Sequence, residues 1–201
     1  MFSAAIHGFI LAFGLILPLG VQNVFVFNQG AVQPRWIYAL PVVLTASICD
    51  TLLISLAVFG VSSVVLGVTW IKVTLLLLGI IFLLYMGYST WKTKPQAEGT
   101  IVQTFTTKKQ IAFAASVSLL NPHAVMDTIG VIGTSSISYS GSARITFMVV
   151  CIIVSWIWFL GLSIFGRLVG RVDQSGKFIL ILNKISALIM WATAIYLLFS
   201  F

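Results

Sequence analysis

The chain has 201 residues, of which 60% are hydrophobic and only 7% charged, with a net charge of +7. A soluble domain carries about 25% charged residues, so the composition argues against a soluble globule, a disordered chain and a nucleic-acid binder. A spanning helix needs ~20 apolar residues, so six would use about 120 and leave short loops with no room for a soluble domain.

The N-terminus, MFSAAIHGF, lacks a positively charged n-region, so the first apolar segment reads as a retained span rather than a cleaved signal. That span runs from about Ala4 to Phe27, and Pro18-Leu19-Gly20-Val21-Gln22-Asn23 interrupts it about midway. The second runs from about Ile37 to Val61 and the third from about Val73 to Tyr88. The longest hydrophilic stretch follows, a basic loop over about 91–110. The fourth span, about Ile111 to Ile132, is diluted by Ser116, Ser118, Asn121, His123 and Asp127. It can cross lipid only if its polar face is covered by protein or lines a cavity. The fifth runs from about Ile145 to Phe165 and the sixth from about Phe178 to Phe199.

The fold class is therefore all-α, a single polytopic membrane domain over 1–201 with six transmembrane helices. The basic loop divides it into halves of three spans, about 1–90 and about 111–201. An odd number per half sets the halves in opposite orientations, as in the inverted repeats of secondary transporters. The halves share one detail: Leu120-Asn121-Pro122-His123 breaks span four at a depth similar to the break in span one. The loops after spans one, three and five hold eight of the basic residues, against two on the other side. The positive-inside rule then puts the loop 91–110 in the cytoplasm and both termini outside.

Proline inside a helix removes a backbone hydrogen bond, and in lipid the freed groups must face protein or water. A break presents half-helix ends at mid-membrane, positive at the N-terminal end and negative at the C-terminal end. Asn121 before Pro122 reads as an N-cap with proline at the first helical position. The free N–H groups beyond it would suit a substrate carboxylate, with Gln22 and Asn23 as the equivalent in the other half. The competing reading is a plain proline kink at Pro18 and Pro122, with the amides satisfied by neighbouring helices.

Asp50 lies near the middle of span two, and Asp127 lies four residues after His123 on the same face of span four. An aspartate at a helix centre costs ~2.5–3.5 kcal/mol to insert, so neither faces lipid. The acids can pair with Lys184, carry protons, or bind a cationic substrate group. One buried base for two acids leaves a carboxylate over, which favours a proton or cation role. His123 reads either as a proton relay beside Asp127 or as a hydrogen-bonding core residue. His7 reads as interfacial, Lys184 as snorkelling to the boundary, and Trp36, Trp70 and Trp91 as headgroup anchors. Cys49 and Cys151 read as small packing residues, since no C-x-x-C is present. Gly166-x-x-x-Gly170 has the small-residue spacing that a homodimer contact would use, although it straddles the expected end of span five. There is no H-E-x-x-H, G-x-S-x-G or P-loop, so no enzyme, cofactor or metal centre is expected and uphill transport would need an ion gradient.

Several of these segments resemble the LysE family of bacterial amino-acid exporters. Gly20-Val21-Gln22-Asn23 keeps three residues of that family's Gly-Pro-Gln-Asn stretch, with valine in place of proline and Pro18 three residues earlier. ASICDTLLI resembles the acid-bearing second-span segment, and SLLNPHAVMDTIGVIGTSS resembles the Asn-Pro-His-Ala…Asp segment of span four. The resemblance covers the whole chain and implies export of L-lysine or L-arginine across the bacterial inner membrane, driven by proton-motive force. It makes Asp50 and Asp127 the functional acids. The rival readings are an exporter of a neutral amino acid or a metal cation, and a non-transporting membrane scaffold. For metal, only His123 with Asp127 offers a ligand pair.

Overall fold

The computed structural model describes residues 1–17, 20–60, 105–120, 124–125, 128–172 and 177–199, with isolated positions at 77, 80–81, 84–85, 87–88 and 91–92. Among the described residues all regular structure is helical. Helix α1 is Phe2–Ile16 and α2 is Val21–Val32. A 3-10 turn at Trp36–Ala39 runs into α3, Leu40–Val58. Helix α4 is Thr107–Leu119. A π-helical turn, Thr128–Gly133, continues into a single α-turn at Thr134–Ser136. Helix α5 is Gly141–Val172 and α6 is Lys177–Phe199.

The boundaries have local causes. Pro41 sits in the first turn of α3, where its missing N–H has no helical partner to lose. Gly60, at φ +90, follows the end of that helix and takes the left-handed conformation that commonly terminates one. The first expected span is two helices bent by 77° between Ile16 and Val21, the stretch that holds Pro18. Pro18 and Leu19 themselves lie outside the described residues.

Among the described residues two stretches are long and apolar enough to cross a membrane as single helices, Trp36–Val58 and Gly141–Arg171, and the bent pair α1/α2 makes a third candidate. At 1.5 Å per residue, the 32 residues of α5 extend ~48 Å, well beyond a hydrocarbon core of ~30 Å. Span five is therefore longer than expected at both ends, and Arg167 and Arg171 belong to its final turns rather than to a loop. Likewise α4 begins at Thr107, so Lys108 and Lys109 stand in a first helical turn, not in the preceding loop. Most of the expected third span and of the loop 91–110 lies outside the described residues.

Helix α5 is the axis of the assembly and packs along α1, α2 and α3, while α4 and the π-turn pack on α3. Its contacting stripe carries small residues. A side chain on Gly8 of α1 would collide with the Phe147 carbonyl, and one on Gly30 of α2 with the backbone at Ser163. Side chains on Gly166 and Gly170 would run into the α2 backbone at Phe27 and Ala31. Helices in lipid lack a hydrophobic drive to associate, so close backbone approach at small residues supplies the packing. The Gly166-x-x-x-Gly170 spacing is thus spent inside the chain, holding α5 to α2, rather than on a second copy. It also lies wholly within α5, not across its end.

Two apolar cores form among the described residues. Ala4, Ala12, Ile54, Val58, Ile132, Phe147, Cys151 and Val154 form one. Phe25, Val26, Ala39, Val42, Val43, Ala46, Ala114 and Phe159 form the other. Outward faces are apolar at four-residue spacing, Leu44, Ile48, Leu52 and Leu56 on α3 and Ile145, Val149, Ile153 and Ile157 on α5, as lipid-facing stripes are. Cys49 and Cys151 are free and buried.

Arginines close both ends of α5 onto neighbouring helices. Arg144 donates to the carbonyl of Val58, the last residue of α3. Arg167 donates to the carbonyls of Gln33 at 2.7 Å and Pro34 at 2.8 Å, just past α2. Each guanidinium satisfies carbonyls at the negative end of a helix. Replacing Gly166 by alanine should lower the melting midpoint of the purified protein by the equivalent of about 1–3 kcal/mol. Gly161→Ala, where an added methyl meets open space, should not; thermal denaturation of the two variants in detergent makes the comparison.

Candidate functional site

Between the two apolar cores, α2, α3 and α5 meet through polar side chains. Asp50 on α3 is half-buried. Its Oδ2 accepts from the Ser155 hydroxyl of α5 at 2.8 Å, and its Oδ1 from the Gln22 amide of α2 at 3.2 Å. Gln22 stands in the first turn of α2, whose N-cap is Gly20 in an extended conformation without a side-chain cap. The first-turn N–H groups there lack helical partners and give that end a partial positive charge. A carboxylate one amide away is the complementary charge. Next to this contact, Trp156 of α5 donates to the Thr51 hydroxyl at 3.0 Å, so two consecutive residues of α3 are tied to two consecutive residues of α5.

Asn23 spans the break. Its amide nitrogen donates to the Ile16 carbonyl at the end of α1, at 2.6 Å. Its oxygen accepts from the Trp158 indole of α5 at 3.2 Å. The C-terminal end of α1 and the N-terminal end of α2 therefore stand beside each other at the level of Asp50, one rich in carbonyls and the other in amides.

Of the residues expected from the sequence, the structure brings together Gly20, Gln22, Asn23 and Asp50. Pro18, Asn121, Pro122, His123 and Asp127 lie outside the described residues. The π-turn that starts directly after Asp127 packs on α3, the helix of Asp50. Lys184 is not a partner of Asp50: its ammonium lies 5.5 Å from the centroid of the Trp91 ring, and among the described residues no ion pair involves Asp50. Trp36, expected as a headgroup anchor, turns inward and donates to the Ser163 hydroxyl at 3.0 Å. His7 meets the Tyr139 hydroxyl at 2.9 Å, with the Phe147 ring alongside.

Sequence reasoning passed over Ser155 and Trp158. A serine in an apolar helix commonly bonds back to the carbonyl four residues earlier, as Ser116, Ser118 and Thr51 do here. Only the tertiary fold distinguishes Ser155 from them. The available signal was the small-residue stripe Cys151, Ser155, Ser163, Gly166 and Gly170 on α5, which marks the face that other helices approach.

A half-buried carboxylate beside paired half-helix ends is chemistry for holding a small zwitterion or cation within a membrane. The model of LysE type translocators matches residues 13–200. The chain belongs to the LysE type translocator family. It is a membrane transporter and not an enzyme. It is 58% identical over 194 residues to "Putative amino-acid transporter YisU" of Bacillus subtilis, covering 96% of this chain and 88% of that one. It is 31% identical over 201 residues to the arginine exporter protein ArgO of Shigella flexneri and of Escherichia coli O157:H7, covering 98% of this chain and 94% of each. No solved structure matches it.

Ser155→Ala keeps a small residue at the crossing of α3 and α5 but removes one hydrogen bond to Asp50. Purified S155A should fold and lose about 1 kcal/mol of stability, whereas Ser155→Leu should wedge the helices apart and fail to accumulate. Expression level and melting midpoint in detergent decide both.

Proposed function

We propose that this LysE family member exports basic L-amino acids, lysine and arginine, from the cytoplasm by alternating access around the site at Asp50. The observation that carries the reading is Asp50 itself, a carboxylate on α3 held, among the described residues, by two neutral donors, Gln22 and Ser155. Neutral donors orient the carboxylate without neutralising it. A substrate ammonium or guanidinium is then the partner that offsets its charge, or a proton is. The family membership and the ArgO relatives support export of a basic solute.

In this reading the substrate side chain meets Asp50, joined by Asp127 from the second half. The α-carboxylate is received by the first-turn amides of α2 with Gln22, and by those beyond Asn121 and Pro122. The α-ammonium faces the carbonyl end of α1. Protons entering from outside displace the cation from Asp50 and Asp127, with His123 as relay, so that proton-motive force drives efflux. Six spans in two inverted halves, each broken once, give the symmetry by which one site opens to either side. The 77° break between α1 and α2 supports the first half of that picture. The packing of the Thr128–Gly133 turn on α3 supports bringing the second half's acidic segment to the same helix. The end bearing Arg35, Lys108, Lys109 and Arg167, with the loop 91–110, is then cytoplasmic, and both termini are outside.

The broader description of the Bacillus relative favours one second reading, export of a neutral amino acid through the same site. Cells preloaded with labelled lysine, arginine, threonine or leucine separate the two. Expression of the chain should accelerate efflux of lysine and arginine, and a protonophore should stop it. Asp50→Asn should reduce efflux to background at unchanged expression; normal efflux from this variant would remove Asp50 from the mechanism, and threonine or leucine efflux alone would favour the second reading.

A further inference from the structure

Both halves of the broken first span are tied to α5 by one side chain. The Trp158 indole N–H donates to Asn23 of α2 at 3.2 Å. Its ring meets Phe13 of α1 edge-on, with centroids 5.7 Å apart and planes at 90°. Asn23 in turn bonds across the break to the Ile16 carbonyl at 2.6 Å. Trp158 lies three residues beyond Ser155, on the same face of α5, and Ser155 holds Asp50. A closed circuit follows: Ser155 to Asp50, Asp50 to Gln22, Gln22 to its chain neighbour Asn23, and Asn23 to Trp158 on the helix where the circuit began.

We propose that Trp158 is a positioning residue for transport. Through Asn23 it fixes the angle of the break, and so the spacing between the carbonyl end of α1, the amide end of α2 and the Asp50 carboxylate. The chemistry is directional. An asparagine amide can serve the Ile16 carbonyl from several rotamers, but its oxygen can meet the indole N–H in few of them. The indole selects the rotamer in which the nitrogen caps α1. A phenylalanine at 158 keeps an aromatic ring against Phe13 and lacks the donor. The substitution removes the restraint that the indole places on the Asn23 side chain, and with it part of the hold on the Ile16 carbonyl. The break would then sample a range of angles.

This inference rests on the transport reading above, and its first test is independent of substrate. Spin labels are placed at Ile6 on α1 and Arg35 beyond α2, both exposed, in a chain whose buried Cys49 and Cys151 are replaced by alanine, reconstituted in lipid nanodiscs. Pulsed electron resonance should give a narrow distance distribution for the parent chain and a broadened one for Trp158→Phe. Asn23→Ala should broaden it similarly, and the double variant should be no broader than Asn23→Ala alone, because both act through one bond. The second test is efflux kinetics of the exported amino acid. W158F should raise the half-saturating internal concentration about tenfold, the loss of one hydrogen bond's worth of affinity, with less than a twofold fall in maximal rate. An unchanged distribution in W158F, additive broadening in the double variant, or broadening with unchanged half-saturation each overturns the proposal. If neither single variant yields folded protein, the pair serves folding and the proposal is wrong. Failure of the transport reading is a different result, normal efflux from D50N, and leaves the distance measurement standing.

Discussion

A backbone group set free in apolar surroundings has little water to turn to, and the junction of α1 and α2 frees several. Between Ile16 and Val21 the helix stops and resumes at 77°, leaving carbonyls at the end of α1 and amides at the start of α2. Much of the surrounding structure answers that constraint. Asn23 returns one amide to the Ile16 carbonyl, Trp158 holds Asn23, and Gln22 links the start of α2 to Asp50. These side chains thus hold one another in place.

Helix α5 makes this arrangement possible because one face of it is small. Gly166, Gly170 and Ser163 let α2 lie against its backbone, and Gly8 lets α1 approach at Phe147 and Cys151. With bulky residues there, Ser155 and Trp158 would stand too far off to reach Asp50 and Asn23. Packing and polar chemistry are therefore not separate features of this helix. The close approach is what turns a serine hydroxyl and an indole N–H into site residues. The arginines near its two ends, capping α3 and α2, oppose sliding of α5 along its neighbours and so keep the polar residues in register.

Two levels of polarity can be told apart in the bundle. Toward the end where α2 finishes, Gln33 and Gln110 donate to the Phe105 carbonyl, and Gln110 also to that of Tyr38. These amides join the start of α4 to the end of α2 and to the turn before α3. At the level between the apolar cores, by contrast, the polar groups include a carboxylate. Neutral amides suit a permanent seam, since they need no counter-charge. That carboxylate has no cationic partner among the described residues.

The sequence by itself determined the solvent, because 7% charge cannot cover a soluble globule, and it determined which residues were expensive. Asp50 stood out by insertion cost alone, and Gln22 and Asn23 by lying beside a proline in an apolar run. Those signals are local, carried by residue type and hydropathy. The extent of α5 was misjudged, since Arg167 and Arg171 look like loop residues until their carbonyl partners are known. The Gly166/Gly170 spacing was legible as a packing motif, but not which helix it packed. Only the tertiary structure decided that Ser155 and Trp158 belong to the site and that Lys184 does not. Serine, tryptophan and lysine have several stable ways to sit in a membrane helix, and the choice among them depends on what stands opposite, which no single segment encodes.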